Sequence, residues 1–436
     1  MRATVSTLAA VLALAAPAAA GPPVDKPGPP LSVPQATLDA SLQCNGTVGA
    51  GGPTPVLLVP GTGEDPDFYN WNYMPALTKL GIAWCSVTFP SHATADIQLN
   101  GEYVVNAIRT MYARAGRRIS IIGHSQGGMV PRWALRFWPD TRQMVDDLIG
   151  LAPSNHGTMN ARATCGPGGC NAASWQQRDD SKFIAALNDP QETFAGISYT
   201  VVYTHTDEVV TPNGDEKTGS SALRTGTGAI RNVAIQDLCP NDTAEHLQLG
   251  SSDPVGYALA IDALTHDGPA DPSRFDPTVC AQPAQPGVNP ATGPADASAA
   301  YAKVLNQFGT GSPSVNAEPP LACYATGNGT CPGGAAPAAP AGQPTRRPHR
   351  LLVWVSPRRP AAGRRTVLRV LVRWTARGKV HPVAGATVRV AGHRVRTNRN
   401  GRATIRARLH AGRVVVRATR SGYRAGSRAV RVRPRR

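Results

Sequence analysis

Gly123-His124-Ser125-Gln126-Gly127 is the stretch of this chain best suited to chemistry, a serine with a glycine two residues to either side. A serine hydroxyl becomes a nucleophile when a neighbouring base takes its proton. Before the motif, Arg118-Ile119-Ser120-Ile121-Ile122 is an apolar, β-branched run that reads as a buried strand. After it, Met129, Val130, Trp133, Ala134 and Phe137 recur at helical spacing, and Pro139 follows the end. Strand, tight glycine-bounded turn and helix form the context of a nucleophile elbow, which lifts Ser125 out at the top of a sheet. The helix N-terminus behind it favours developing negative charge. With 44 glycines in the chain a bare match is cheap, and the two flanks give this one its meaning.

In α/β-hydrolases the partners follow in the order serine, acid, histidine. Asp207 is the best acid, because Thr204-His205-Thr206-Asp207 leaves the strand over 197–203 where reacting groups gather on open sheets. Glu208 is its neighbour and rival, with a side chain expected to point elsewhere. A solvated surface carboxylate is the plain alternative for either. Two histidines follow Asp207 within the body. His246 is expected in a loop between a strand and the helix from Pro254, the place a base requires. His266 ends that helix, where a histidine ordinarily caps. His124 is a poor base because neighbouring side chains diverge. His92, His156 and His205 break the order, and His349, His381, His393 and His410 fall in the terminal segment. The oxyanion needs preorganised donors. The N–H of Gln126 supplies one, and Thr62 in Pro60-Gly61-Thr62-Gly63 is the natural second, with its hydroxyl a third. Those glycines equally suit an ordinary tight turn.

These residues need elements to hold them. Strands are expected over 56–59, 83–88, 119–122, 148–151, 199–203 and 232–236. Helices are expected over 100–115, 127–137, 181–188 and 254–265. The alternation implies a mostly parallel sheet covered by helices on both faces. One body spans 36–332, preceded by a Pro/Gly-rich extended arm over 21–35.

Residues 1–20 read as a secretory signal: Arg2, an apolar core over Leu8–Ala16 and Ala18-Ala19-Ala20 before the cut. That core is too short to span a bilayer, and no later run reaches about 18 apolar residues. A secreted, extracellular protein is expected. The eight cysteines, none in a C-x-x-C pair, fit disulfides in an oxidising compartment rather than a metal site. Connectivity stays open. Pairing in chain order is the simplest choice: Cys44–Cys85, Cys165–Cys170, Cys239–Cys280 and Cys323–Cys331. A Cys165–Cys170 bridge would pin residues 161–177 as a short rim over the pocket.

The net charge of +17 hides two opposed parts. Residues 341–436 hold 27 Lys+Arg and no acid, against 18 basic and 28 acidic residues elsewhere. An Ala/Pro/Gly linker over 333–348 separates them. Over 349–436 the period shifts to two, with turns at Asn400-Gly401 and Ala411-Gly412. A small all-β sandwich is expected there. Gly385-Ala386-Thr387-Val388 and Asn400-Gly401-Arg402-Ala403 resemble bacterial Ig-like or carboxypeptidase-regulatory-like modules.

The body resembles the Candida antarctica lipase B type of α/β-hydrolase. The likeness lies in Val56-Leu57-Leu58-Val59-Pro60-Gly61-Thr62-Gly63, Glu102-Tyr103-Val104-Val105-Asn106-Ala107-Ile108 and Ser125-Gln126-Gly127-Gly128. It continues in Trp175-Gln176-Gln177 and Thr206-Asp207-Glu208-Val209-Val210. It implies an α/β-hydrolase fold and a lipase or carboxylesterase with Ser125, Asp207 and His246 as triad. Thr62 and Gln126 would hold the oxyanion, and Gly61, Ser154, Gln177 and Val209 would border the substrate. No cofactor or metal is implied. Three family disulfides map onto Cys44–Cys85, Cys239–Cys280 and Cys323–Cys331, with Cys165–Cys170 an addition. Ser154 replaces a family aspartate, residues 297–308 echo the family's pocket helix weakly, and His124 is unusual before the serine.

The expected substrates are acylglycerols or related esters, with polyesters or wall-linked esters as alternatives. A non-catalytic surface-binding protein is the reading from another class. The basic module suits anionic wall polymers or acidic lipid surfaces, or it is only a solvated face. With few aromatics there, nucleic acid is a poor fit. A monomer is expected.

Overall fold

The computed structural model describes residues 21–331 and 350–434, apart from the isolated positions 47, 50, 167, 358, 359, 364, 377, 378, 421, 422, 424 and 425. The expected signal segment over 1–20 and the expected linker over 333–348 lie outside the described residues. The chain divides into two compact units, residues 1–337 and 338–436.

In the first unit seven strands form one sheet: β1 (Leu42–Cys44), β2 (Val56–Val59), β3 (Trp84–Val87), β4 (Ile119–His124), β5 (Val145–Leu151), β6 (Ser198–Tyr203) and β7 (Ala229–Ala234). Their order is β1-β3-β2-β4-β5-β6-β7. Every pairing is parallel except β1 with β3. The central strands are apolar at successive positions because both faces are covered. Leu57, Val59, Ile121 and Val201 pack on one side with residues of the helices Ile97–Ala115 and Gln126–Phe137. Val56, Leu58, Ile122 and Val202 pack on the other with Tyr73–Lys79 and Pro254–Thr265. This is the α/β-hydrolase architecture.

Some boundaries differ from the sequence reading. The last strand stops at Ala234, and Ile235–Leu238 turns into a short helix. His246 opens the helix His246–Ser251 instead of lying in a loop, with Glu245 accepting from the N–H groups of Leu247 and Gln248. Residues 297–308 fall within one long helix, Gly293–Thr310. Disulfides join Cys44–Cys85, Cys165–Cys170, Cys239–Cys280 and Cys323–Cys331. Among the described residues no helix is long and apolar enough to cross a membrane.

The second unit is β-sandwich-like. Its strands are β8 (Leu352–Ser356), β9 (Arg365–Ala376), β10 (Lys379–Pro382), β11 (Thr387–Val390), β12 (His393–Arg396), β13 (Arg402–Arg408), β14 (Gly412–Thr419) and β15 (Gly426–Val432). β9 pairs with β8, β10 and β13 in one antiparallel sheet, and β12-β11-β14-β15 form the other. Val353, Leu368, Val370 and Ile405 from the first meet Val388, Val416 and Val430 from the second in one core.

Candidate active site

The loops at the C-terminal ends of β2, β4, β5, β6 and β7 carry the residues singled out from the sequence, the edge where parallel sheets place ligands. Ser125 sits in the turn between β4 and the helix Gln126–Phe137 with φ 53° and ψ −124°. Such a backbone costs about 1–3 kcal/mol and persists only where packing dictates it. The flanking glycines show what dictates it. A Cβ on Gly123 would lie 2.0 Å from the Gly127 carbonyl oxygen, and one on Gly127 would lie 2.0 Å from that of Val59. The helix start is thereby pressed against the end of β2.

Asp207 and His246 are in contact. The imidazole Nδ1 lies 3.0 Å from Asp207 Oδ2, and both side chains are buried. Asp207 Oδ1 accepts from the N–H groups of Val209 (2.9 Å) and Val210 (2.7 Å). The carboxylate is thus fixed on both oxygens. Glu208 accepts from the His246 N–H at 3.2 Å, so it holds the backbone of the same histidine and not its ring. Burial opposes protonation of His246 most strongly. The charges of Asp207, Glu208 and Glu64, with the Asp207 hydrogen bond, outweigh it and raise the pKa above the usual imidazole value. The Ser125 hydroxyl is bonded to no other group among the described residues; such contacts are commonly long before substrate binds. His266 is half-exposed and pairs with Asp262 within its own helix, away from this cluster.

Thr62 Oγ1 accepts from Gln126 Nε2 at 2.8 Å and from Gln177 Nε2 at 2.9 Å. With both acceptor positions used, the remaining capacity of the hydroxyl is its proton. Asn100 donates to Gln126 Oε1 at 2.9 Å, which locks that amide. Gln177 is held in turn by Ser154, whose hydroxyl lies 2.8 Å from Gln177 Oε1. Ser154 therefore orients this glutamine. The Gln126 N–H begins a helix and has no intrahelical partner. Gly61 lies against the nucleophile, since a Cβ there would stand 3.0 Å from Ser125 Cβ. Val209 is exposed on the loop that caps Asp207. Residues 161–177 form two short helical turns on either side of Cys165–Cys170, ending at Gln177.

The sequence reading missed Glu64. It is 1 % exposed, accepts from the Gly61 N–H at 2.5 Å and lies 2.5 Å from His124 Nδ1. The other ring nitrogen of His124 lies 3.0 Å from the His246 carbonyl oxygen. The two ring nitrogens of His124 thus face a carboxylate and a backbone carbonyl. This buried pair ties the oxyanion loop, the strand before the nucleophile and the base together. A charged residue in a glycine loop, with a histidine ending an apolar strand, was the available signal.

Parts of the chain are similar to known proteins. Residues 54–236 match the family described as Lipase (class 2). Lipase B of Pseudozyma antarctica is 37% identical over 218 residues, which are 48% of this chain and 61% of that protein. The chain thus spans about three-fifths of that relative's length. The crystal structure of Aspergillus fumigatus lipase B aligns with a TM-score of 0.62 at 29% identity, over 71% of this chain and 77% of that one. The matched segment contains Thr62, Ser125, Gln126 and Asp207; His246 lies ten residues beyond its end.

Proposed function

We propose that this protein is an exported serine hydrolase of carboxylic esters, with acylglycerols or related lipid esters as substrates. Ser125 Oγ attacks the ester carbonyl while His246 takes its proton. Asp207 holds the imidazole tautomer and stabilises the imidazolium. The tetrahedral oxyanion accepts from the Gln126 N–H and from Thr62. Collapse expels the alcohol, protonated by His246, and leaves an acyl group on Ser125. Water, activated by the same imidazole, then releases the acid. No step calls for a metal or cofactor.

The reading is supported above all by the Asp207–His246 contact together with a serine held in a strained turn. The lipase relatives narrow the bond to an ester. Four disulfides agree with export to an oxidising compartment. The basic terminal module tethers the enzyme to anionic surroundings, such as wall polymer.

A fluorophosphonate probe should label Ser125, and Ser125→Ala should lower turnover of p-nitrophenyl esters on the order of 10⁴-fold or more. An unlabelled protein with no turnover would instead support the surface-binding reading. Graded acyl chains, emulsified triacylglycerol and a polyester film would rank the substrates.

A further inference from the structure

We propose that the outer faces of the C-terminal sandwich dock a flexible, linear phosphate polymer. The proposal rests on the reading that this module is a tether, and it names the surface and the partner.

Period-two alternation sends the apolar residues of this module inward and its arginines outward. What the sequence does not reveal is which arginines become neighbours. The strand register places Arg394 opposite Arg389, and Arg389 opposite Arg417. Three exposed guanidinium groups therefore share one rung across β12, β11 and β14. Strands lie about 4.8 Å apart, so the rung's backbone positions span roughly 10 Å. Arg413 faces Arg431 in the same sheet, and Arg365 faces Arg408 in the other. Like charges directly opposite one another are destabilising. Residues 341–436 contain no Asp or Glu to relieve them. Mixed charges would give solubility without that cost. Rungs of this kind instead bring adjacent guanidinium forks to bear on one anion, and phosphate oxygens match that fork.

The distribution of the rungs selects the shape of the partner. They occupy both outer faces, so a planar surface could engage only one of them. A chain that wraps or threads could use both. A lipid surface would also favour an unbroken apolar row, whereas Trp354, Val367 and Val380 on the outer face of β8-β9-β10 are interspersed with Arg369 and Arg373, and Val415 lies on the other sheet. Reading nucleic-acid bases needs stacking platforms. Trp374 is occupied with His381 (4.9 Å between ring centroids) and Tyr423 (6.0 Å). Among the described aromatics of this unit only Trp354 is exposed, one platform where successive bases need several, so the surface is suited to a phosphate backbone without bases.

The test uses the full chain and long-chain inorganic polyphosphate as the probe, with affinity measured across a salt series. Log K should fall linearly with log salt. In R389Q/R394Q/R417Q the slope should be shallower by about 2, at roughly 0.7 per phosphate contact. R365Q/R408Q should flatten it by about 1 from the other face. Turnover of a soluble p-nitrophenyl ester should be unchanged in both. Polyphosphate should raise the Tm of the parent more than that of the triple variant. If the glutamine variant fails to fold, R389K/R394K/R417K is the substitute; it should keep the slope and lose affinity, because lysine lacks the fork. Equal affinity and slope in parent and triple variant would overturn the assignment of this surface. Tighter binding to phosphatidylglycerol vesicles, at equal phosphate, would overturn it in favour of a membrane. Tighter binding to single-stranded DNA would overturn it in favour of nucleic acid. If deleting residues 341–436 leaves polyphosphate binding intact, the tether reading itself fails.

Discussion

Asp207 spends one oxygen on two backbone N–H groups and the other on His246, so it orients the imidazole without needing its own proton. The proposed mechanism requires neutral His246, whose pKa is raised by its carboxylate neighbours. The rise of kcat/KM with pH should therefore centre above the ordinary imidazole value of about 6.5. Asp207→Asn should move that midpoint down and lower the rate on the order of 10⁴-fold. A pH profile of both forms checks this; an unmoved midpoint would separate Asp207 from the base. The same shift affects stability. A histidine with a raised folded pKa contributes stability that is present below its unfolded value and lost as pH rises through the folded one.

Glu64 and His124 act at the same scale through buried hydrogen bonds. Glu64→Ala would strand both His124 Nδ1 and the Gly61 N–H, at a cost of about 3–5 kcal/mol. Glu64→Gln can accept from Gly61 and donate to a neutral His124, so it should recover most of that stability. Because the Glu64 charge helps raise the His246 pKa, the glutamine variant should also lower the acid midpoint of kcat/KM. Denaturant unfolding and pH profiles of the two variants test the pair. A glutamine variant as unstable as the alanine one would refute the hydrogen-bond account.

At the scale of elements, the elbow exists because β2, β4 and the helix after Ser125 approach more closely than side chains permit. Gly127→Ala would drive a Cβ into the Val59 carbonyl, where neither backbone can yield cheaply. Overpacking of about 1–3 kcal/mol is expected, with a fall in kcat because the strand beside the oxyanion loop must shift. Gly166→Ala, which meets nothing within 4 Å, is the control and should change neither quantity. Unfolding midpoints and ester kinetics of both variants decide the matter. Most strands and helices around the site were legible from apolar runs and helical spacing. The ends were not. Ile235 continues the β-branched pattern of β7 but opens a helix that also takes in Gln236. β1 is three residues with one cysteine, too short for any period to register.

At the scale of the molecule, charge separates the two units. Removing residues 341–436 changes the net charge from +17 to −10. Hydrolysis of soluble esters should be unaffected, since every proposed catalytic position precedes residue 332. Retention on anionic wall preparations should fall sharply at low salt, and should fade for the intact chain as the Debye length drops below about 8 Å. Equal retention of both forms at low salt would leave the arginines as a solvated surface.

The sequence alone named the candidate chemistry-bearing residues and the order in which the chain presents them. A nucleophile elbow is local: Ser125, its glycines and the flanking strand and helix lie within about twenty residues, and turn chemistry is a property of such short stretches. The contrast between an acidic body and a basic tail is compositional, so it too was readable without coordinates. Tertiary structure decided what depends on distant residues meeting. Glu64 becomes a partner of His124 only because the β2 loop and the end of β4 are neighbours in the sheet. Ser154 holds Gln177, and Gln177 holds Thr62, through folding that brings three loops to one edge. The arginine rungs likewise need strand register, which pairs positions across turns and loops. Periodicity gives the face a side chain occupies, and only pairing gives its neighbour.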